Sequence, residues 1–106
     1  MSKVVYKFCC LRDVNITYIG ETTRPLDLRV KEHLSKKGNK TAIGKHIGNC
    51  NICSNAVFSL HDFNVIKRCR TSGETRIHEA LLIGRETPQI NKQQHLAGAS
   101  FVLTVY

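Results

Sequence analysis

The chain has 106 residues, a length that fits one modest domain and excludes a two-domain protein or a large barrel enzyme. Its 42% hydrophobic and 23% charged residues are ordinary globular values, and no apolar run is long enough to span a membrane. Sixteen Lys and Arg against eight Asp and Glu give a net charge of +8, which favours a polyanionic partner such as nucleic acid.

An antiparallel hairpin is predicted at the start of the chain. Val4, Tyr6 and Phe8 recur at the two-residue period of a β-strand. The turn-forming residues 11–15 then lead into residues 16–20, which are rich in β-branched and aromatic side chains. We therefore expect two paired strands joined by a loop of several residues.

Two helices are predicted in the middle of the chain. The first follows two threonines and a proline, which are typical of a helix start. Leu26, Val30 and Leu34 then recur every four residues, and this helix is expected to end near Gly38. A short second helix is expected over residues 41–47.

A third strand and a last helix are predicted in the second half of the chain. Residues 59–69 alternate imperfectly between apolar and polar, which indicates a strand. The last helix is expected over residues 74–85, ended by Pro88. Its predicted packing face comprises Ile77, Ala80, Leu81 and Gly84. Residues 91–99 are expected to be irregular, and residues 101–106 to form a last strand or the remnant of a longer chain.

These elements follow one another in the order β-β-α-α-β-α. This order predicts an α+β fold, with a small three-stranded antiparallel sheet flanked by helices. Because neither a repeat nor a linker interrupts the chain, we expect residues 1–106 to form a single domain. Its core is expected over about residues 3–92, with residues 93–106 as a C-terminal extension.

The positive charge is concentrated in one stretch. The stretch 24–45 contains seven Lys and Arg but only two acidic residues, so it carries +5 of the total +8. This clustering favours nucleic-acid binding over a merely soluble basic surface. The residues expected to contact nucleic acid are Arg24, Lys31, Lys36, Lys37, Lys40 and Lys45.

Five cysteines, together with the absence of a recognisable signal peptide, predict an intracellular protein without a membrane partner. An odd number of cysteines does not form a complete disulfide framework. Cys50 and Cys53 have the spacing of metal ligands, and His46 precedes them by one helical turn. The candidates for a fourth ligand are Cys9, Cys10, His61 and Cys69. We expect a structural zinc bound by Cys10, His46, Cys50 and Cys53; the alternative is that the cysteines are buried thiols.

Six further polar residues could carry chemistry together. Two are tyrosines on the paired strands, and two others lie four positions apart on the first long helix, so that they share one face. A glutamate lies on the last helix, and an asparagine follows the proline that ends it. The candidate catalytic residues are Tyr6, Tyr18, Arg29, His33, Glu79 and Asn91.

With these residues in order, the sequence resembles the GIY-YIG endonuclease family over residues 4–91. The resemblance is carried by Val4-Val5-Tyr6, Tyr18-Ile19-Gly20, Arg29-x3-His33, Glu79 and Pro88-Gln89-Ile90-Asn91. The first motif departs from the family pattern, because two valines replace Gly and Ile, but its tyrosine is intact.

A narrower resemblance is to the endonuclease domain of Penelope-like retroelements. It is carried by Tyr6-Lys7-Phe8-Cys9, Tyr18-Ile19-Gly20-Glu21-Thr22, Arg29-x3-His33 and His46. Those elements often carry paired Cys and His residues as a zinc-finger-like set. In this chain Cys9 and Cys10 are adjacent rather than spaced. Cys50 and Cys53 lie near the position where the second histidine of that set would be expected. This narrower resemblance implies a fused, larger polypeptide for targeting, and a nuclear location if the element is eukaryotic.

The resemblance implies a metal-dependent endonuclease that hydrolyses DNA phosphodiester bonds. Glu79 would bind the catalytic Mg²⁺ or Mn²⁺, and Arg29 would hold a phosphate oxygen. Either Tyr6 or His33 would act as the general base, with Tyr18 as a partner. The alternative function is a non-catalytic, zinc-stabilised nucleic-acid-binding module with the same fold.

Overall fold

The computed structural model describes residues 3–35 and 41–91. The strands and α-helices are, in chain order, β1 (Val4–Cys9), β2 (Thr17–Thr22), α1 (Leu26–Leu34), α2 (Ala42–Asn49), β3 (Phe63–Arg68) and α3 (Ser72–Glu86). Short 3₁₀ turns lie at Cys53–Asn55 and Leu60–Asp62. Within these described ranges, every helix is too short or too polar to cross a membrane.

The three strands form an antiparallel sheet in the order β2-β1-β3, which confirms the predicted α+β fold. The central strand β1 pairs with β2 in a register that places Tyr6 opposite Gly20 and Phe8 opposite Tyr18. On its other side β1 pairs with β3, with a bulge between Val5 and Tyr6. Both candidate tyrosines therefore lie near the β2 edge of the sheet.

Helices cover both faces of this sheet. On one face, alternate residues of β1 pack in a common core with α1 and α2, and this core includes Tyr6, Phe8, Val30 and Ile43. The other face is covered by α3, which contacts both β1 and β2. Alternation along the strand directs Val5 toward α3, and this side chain is fully buried.

Threonine side chains cap two of the helices. The Thr41 hydroxyl accepts a hydrogen bond from the Gly44 N–H at the start of α2, at 3.0 Å. The Thr71 hydroxyl accepts from the Glu74 N–H at the start of α3, at 3.1 Å. Helix α1 instead follows Pro25. Because the first N–H groups of a helix lack partners within it, each threonine cap supplies one missing acceptor.

Two predicted elements need correction. The third strand begins at Phe63 rather than at residue 59, because Ser59 and Asp62 form a reciprocal capping box around a 3₁₀ turn. The predicted packing face of α3 was wrong, since Ile77 and Leu81 are 61% and 64% exposed. The helix instead turns the fully buried Thr75 and the half-buried Glu79 toward the sheet.

Several predictions lie outside the described residues. Helix α1 ends at Leu34, because Ser35 takes an extended backbone conformation, so the predicted end near Gly38 was several residues too late. Residues 36–40 lie outside the described ranges. Three of the predicted nucleic-acid contacts, Lys36, Lys37 and Lys40, belong to that segment. The predicted extension 93–106 and its last strand also lie beyond the described ranges.

Candidate functional site

Gly20 makes room for the two tyrosines. A Cβ atom at this position would lie 2.6 Å from Tyr18 Cε2 and 2.8 Å from both Cζ and Oη of Tyr6. These distances are too short for any side chain to be tolerated without displacing a ring. The two rings lie side by side with their centroids 6.3 Å apart. The glycine of the Tyr18-Ile19-Gly20 motif is therefore required by the position of the rings themselves.

A buried chain of hydrogen bonds begins at the first tyrosine. The Tyr6 hydroxyl lies 2.8 Å from His33 Nε2, and His33 Nδ1 lies 3.0 Å from the Thr41 hydroxyl oxygen. His33 is only 2% exposed, and its ring stacks on Phe63. Thr41 also caps α2, so this chain connects the tyrosine pair to the start of that helix.

Arg29 supplies positive charge beside the tyrosines. Its positive charge acts electrostatically on both Tyr6 and Tyr18. On its other side it forms an ion pair with Glu32 at 3.4 Å, and Glu32 also pairs with Arg24. Because the Glu32 side chain is partly exposed to solvent, this ion pair positions the Arg29 guanidinium without burying a second charged group.

Burial keeps the tyrosines and His33 neutral at neutral pH. It raises the pKa of Tyr6 far above its ordinary value, and the nearby Arg29 only partly opposes this effect. Burial likewise raises the pKa of Tyr18 to about 12. It lowers the pKa of His33 to about 4, and the positive charge of Arg29 adds to this shift. The Tyr6–His33 pair is therefore uncharged in the resting protein.

Glu79 reaches the same edge of the sheet from α3. Burial, together with the neighbouring Glu21 carboxylate, raises the pKa of its carboxyl group to about 7, while the Glu21 backbone N–H and the charge of Arg29 oppose the shift. The Glu21 carboxylate is itself held at 2.8 Å by the hydroxyl of the fully buried Thr75. Two carboxylates so placed repel each other, and their oxygens are ligands that suit a hard divalent cation such as Mg²⁺.

The sequence prediction omitted Glu21 and Thr75. Two signals for them exist in the sequence: Glu21 directly follows Tyr18-Ile19-Gly20, and Thr75 precedes Glu79 by one helical turn. Neither signal is decisive alone, because the meeting of β2 and α3 is a long-range contact.

Asn91 has a different place from the other candidates. Its side-chain carbonyl accepts the Ile19 N–H and its amide donates to the Ile19 carbonyl, both at 2.8 Å. The Asn91 amide thus makes the two backbone hydrogen bonds to Ile19 that a neighbouring strand would make at the edge of β2. The Asn91 side chain is buried, with only 4% of the residue exposed. The predicted catalytic role remains a prediction, and the geometry favours a positioning role, because both ends of the amide are already engaged.

A second group of side chains lies away from the tyrosines. Potential ligand atoms of Cys10, His46, Cys50 and Cys53 all lie within 4.8 Å of one another. Cys10 Sγ lies 3.7 Å from the sulfurs of both Cys50 and Cys53, and Cys53 Sγ lies 3.9 Å from His46 Nε2. Tetrahedral zinc with bonds of about 2.0 to 2.3 Å separates its ligands by about 3.5 to 3.8 Å, so the spacing fits.

The surroundings of this Cys/His cluster suit metal binding. Backbone N–H groups of Cys53 and Ile52 point at the Cys50 sulfur and lower the pKa of that thiol to about 7. Burial lowers the pKa of His46, so its imidazole is neutral and able to bind a cation. The other candidates for a fourth ligand, Cys9, His61 and Cys69, lie outside the cluster.

Three of the predicted nucleic-acid contacts lie in the described part of the chain. Arg24, Lys31 and Lys45 are all exposed. Arg24 shares Glu32 with Arg29, which places it beside the candidate catalytic site. Lys45 lies instead next to the Cys/His cluster, since it directly precedes His46. The predicted positive surface therefore extends over two separate regions.

Comparison with known proteins identifies the chain at the level of its family. A model of the GIY-YIG catalytic domain matches residues 2–94, which is most of the chain. Searches of curated proteins and of solved structures found no significant match. The matched region contains the tyrosine pair, Arg29, His33 and Glu79. The chain therefore belongs to the GIY-YIG family, whose members are endonucleases.

Proposed function

We propose that this protein is a metal-dependent endonuclease that hydrolyses DNA phosphodiester bonds. One observation carries the proposal: the two tyrosines, Arg29 and the Glu21–Glu79 carboxylate pair meet around Gly20 at one edge of the sheet. GIY-YIG nucleases act on DNA and are generally metal-dependent. The net charge of +8 suits the same polyanionic substrate.

Each residue has a role that follows from its position. Arg29 binds a non-bridging phosphate oxygen, because its guanidinium faces the tyrosines and is neutralised on one side only. Tyr6 and His33 share one hydrogen bond, so a proton taken by the Tyr6 oxygen has a path to the imidazole. Either residue of the pair can thus act as the base once the negative substrate is bound.

Glu79 is the proposed ligand of a catalytic Mg²⁺ or Mn²⁺. The raised pKa of its carboxyl group and the neighbouring Glu21 indicate a site whose negative charge Arg29 compensates only in part. When bound, a divalent cation supplies stabilisation of the negative charge that develops on the phosphate. Tyr18 lies in the same electrostatic environment, where it orients the attacking water or the phosphate.

We also propose a structural zinc at the Cys/His cluster. Four ligands complete a tetrahedral set, so this ion would stabilise the fold rather than bind water. It would connect the end of the first hairpin to α2 and to the following 3₁₀ turn. A zinc-stabilised fold is also compatible with the second candidate function, a nucleic-acid-binding module without turnover.

The biological context is a finer proposal. The segment Tyr18-Ile19-Gly20-Glu21-Thr22, the Arg29/His33 pair and His46 support an endonuclease of the Penelope-like retroelement type. In that context a larger polypeptide would supply targeting, and a eukaryotic element would place the protein in the nucleus.

A nicking assay tests the enzymatic proposal. The purified protein is incubated with supercoiled plasmid DNA and Mg²⁺, and we expect relaxed, nicked product that disappears with EDTA and returns with excess Mg²⁺. Glu79→Ala is the matched variant, and it should bind DNA at least as tightly without cleaving it, because the substitution removes a ligand and a negative charge. Tight DNA binding by wild-type protein without nicking would favour the non-catalytic module. Nicking by Glu79→Ala at the wild-type rate would overturn the metal assignment.

A further inference from the structure

A polar recess of about 420 Å³ opens beside the Cys/His cluster. The exposed side chains that line it are Arg12, Lys45, Asn49 and Gln89, and its less exposed part is formed by Ile16 and two cluster residues. None of the lining residues is acidic. The recess thus offers two permanent positive charges and two amides, a combination that suits the oxygens of a phosphate backbone.

The Cys/His cluster contributes two residues to the wall of this recess. Arg12 follows Cys10 by two positions, Lys45 directly precedes His46, and Asn49 directly precedes Cys50. Two separate parts of the lining, the loop after β1 and helix α2, are therefore each anchored next to cluster side chains. The Arg12 guanidinium lies close enough to His46 to act on it electrostatically. A cation bound by the cluster would consequently fix the spacing of these exposed groups.

The recess lies along the same sheet edge as the catalytic site. Ile16 immediately precedes β2, whereas Gly20, against which both tyrosine rings lie, is four residues further along that strand. Four strand residues span about 13 Å. Gln89 enters the recess two positions before Asn91, which pairs with Ile19 on this edge. Because one DNA strand rises about 3.4 Å per nucleotide, 13 Å corresponds to about four nucleotides.

We propose that this recess binds the phosphate backbone of the DNA strand about four nucleotides from the bond that is cleaved. Arg12 and Lys45 would contact phosphate oxygens, and the amides of Asn49 and Gln89 would donate further hydrogen bonds. The inference rests on the proposed endonuclease function, since it takes the same DNA substrate. It adds a second DNA-contact region, and the Cys/His cluster would fix the positions of the side chains that contact DNA there.

Salt-dependent binding of a labelled DNA duplex, measured by fluorescence anisotropy without added Mg²⁺, tests this region. Arg12→Ala and Lys45→Ala should each bind roughly fivefold more weakly at low salt, and each should reduce the salt slope by about 1. Arg68→Ala is the matched control, because it removes an exposed arginine from β3 at the opposite edge of the sheet. Equal effects of all three substitutions, or none, would overturn the proposal.

A length series locates the contact. Duplexes that keep one cleavage site are shortened one nucleotide at a time from either end, and wild-type affinity should drop on one side when about four nucleotides remain. This drop should be missing in Arg12→Ala. A drop at the same length in both proteins would also overturn the proposal. Both tests measure DNA binding alone, so they are independent of the nicking assay. If Arg12→Ala weakens binding but the wild-type protein does not nick DNA, the proposed endonuclease activity is contradicted and the proposed binding region is not. If the wild-type protein nicks DNA but Arg12→Ala binds normally, only the proposed binding region is contradicted.

Discussion

The Tyr6 hydroxyl oxygen lies 2.8 Å from Nε2 of His33, and the opposite ring nitrogen lies 3.0 Å from the Thr41 hydroxyl. Both ring nitrogens of the buried His33 are therefore engaged, and the positive charge of Arg29 acts on the same tyrosine. Because the Thr41 hydroxyl is hydrogen-bonded to one ring nitrogen, it orients the imidazole toward Tyr6, which makes Thr41 a positioning residue.

Thr41→Val tests this positioning role. The variant loses the hydrogen bond to His33 Nδ1, so the ¹⁵N chemical shifts of the ring should show a changed balance of the two tautomers. Cleavage should fall about fivefold, as expected for the loss of one hydrogen bond of ~1 kcal/mol. Thr41→Ser keeps the hydroxyl and should restore both measurements.

Thr71→Val is the control for the loss of a helix cap. Thr71 caps α3 by the same bond that Thr41 makes to α2, and each cap contributes about 1 kcal/mol to stability. Both variants should therefore lose similar stability, but only Thr41→Val should change the histidine spectrum. Similar losses of cleavage in the two variants would assign Thr41 a purely structural role.

Gly20→Ala should disrupt the tyrosine pair. The new Cβ would lie 2.8 Å or less from atoms of both rings, so at least one ring must move. We expect a loss of about 1–3 kcal/mol in the free energy of unfolding, as for other overpacked sites, together with most of the cleavage activity. Gly48→Ala is the control, because no heavy atom lies within 4 Å of its Cβ position and alanine favours a helix by about 0.5–1 kcal/mol. Equal stability of the two variants in urea would contradict the crowding.

Local patterns in the sequence predict most of the fold but less of the site. The two-residue period of Val4, Tyr6 and Phe8 identifies β1 correctly, because alternate residues of a strand share one face, and these three side chains pack in one core. The same reasoning fails for α3. There Ile77 and Leu81 face outward, while the polar Thr75 is buried by a contact with Glu21 that no local pattern contains.

Adjacent cysteines illustrate the same limit. Cys9 and Cys10 point to opposite sides of the chain, and the choice between them depends on where Cys50 and Cys53 lie after folding. The pairing of Asn91 with Ile19 is equally non-local. Residue types therefore indicate the chemistry, whereas the partners of each side chain depend on how distant segments meet.

Glu79→Gln should stabilise the protein while abolishing cleavage. Because the pKa of Glu79 is raised to about 7, the folded protein keeps a proton that the unfolded chain releases above about pH 4.5. Wild-type stability should thus fall as the pH rises from about 4.5 through 7, and the neutral glutamine avoids this loss. At pH 8, without added divalent cation, urea unfolding should show the variant to be more stable by about 1–3 kcal/mol. A less stable variant would contradict the repulsion between Glu21 and Glu79.

His33 should contribute an opposite dependence on pH. Its pKa is lowered to about 4, so between about pH 6.5 and 4 the unfolded chain takes up a proton that the folded protein excludes. The stability that neutral His33 provides should be lost as the pH falls through this range, by on the order of 3 kcal/mol. His33→Gln lacks the titration, while Glu79 contributes equally to both proteins. The stability difference between wild type and variant, measured in urea, should therefore shrink on acidification, and parallel curves would show that His33 titrates normally.

Removal of one cysteine tests the proposed zinc. Protein purified without chelator should contain about one zinc per chain, because structural sites of this type bind with free energies of ~10 kcal/mol or more. Cys53→Ser removes a ligand from the Cys/His cluster and should lower both the zinc content and the melting temperature strongly. Cys69→Ser is the matched control, since this half-buried thiol lies outside the cluster and should change neither quantity by much. Zinc-free wild-type protein of full stability, or equal melting temperatures of the two variants, would show that these cysteines are buried thiols without a metal.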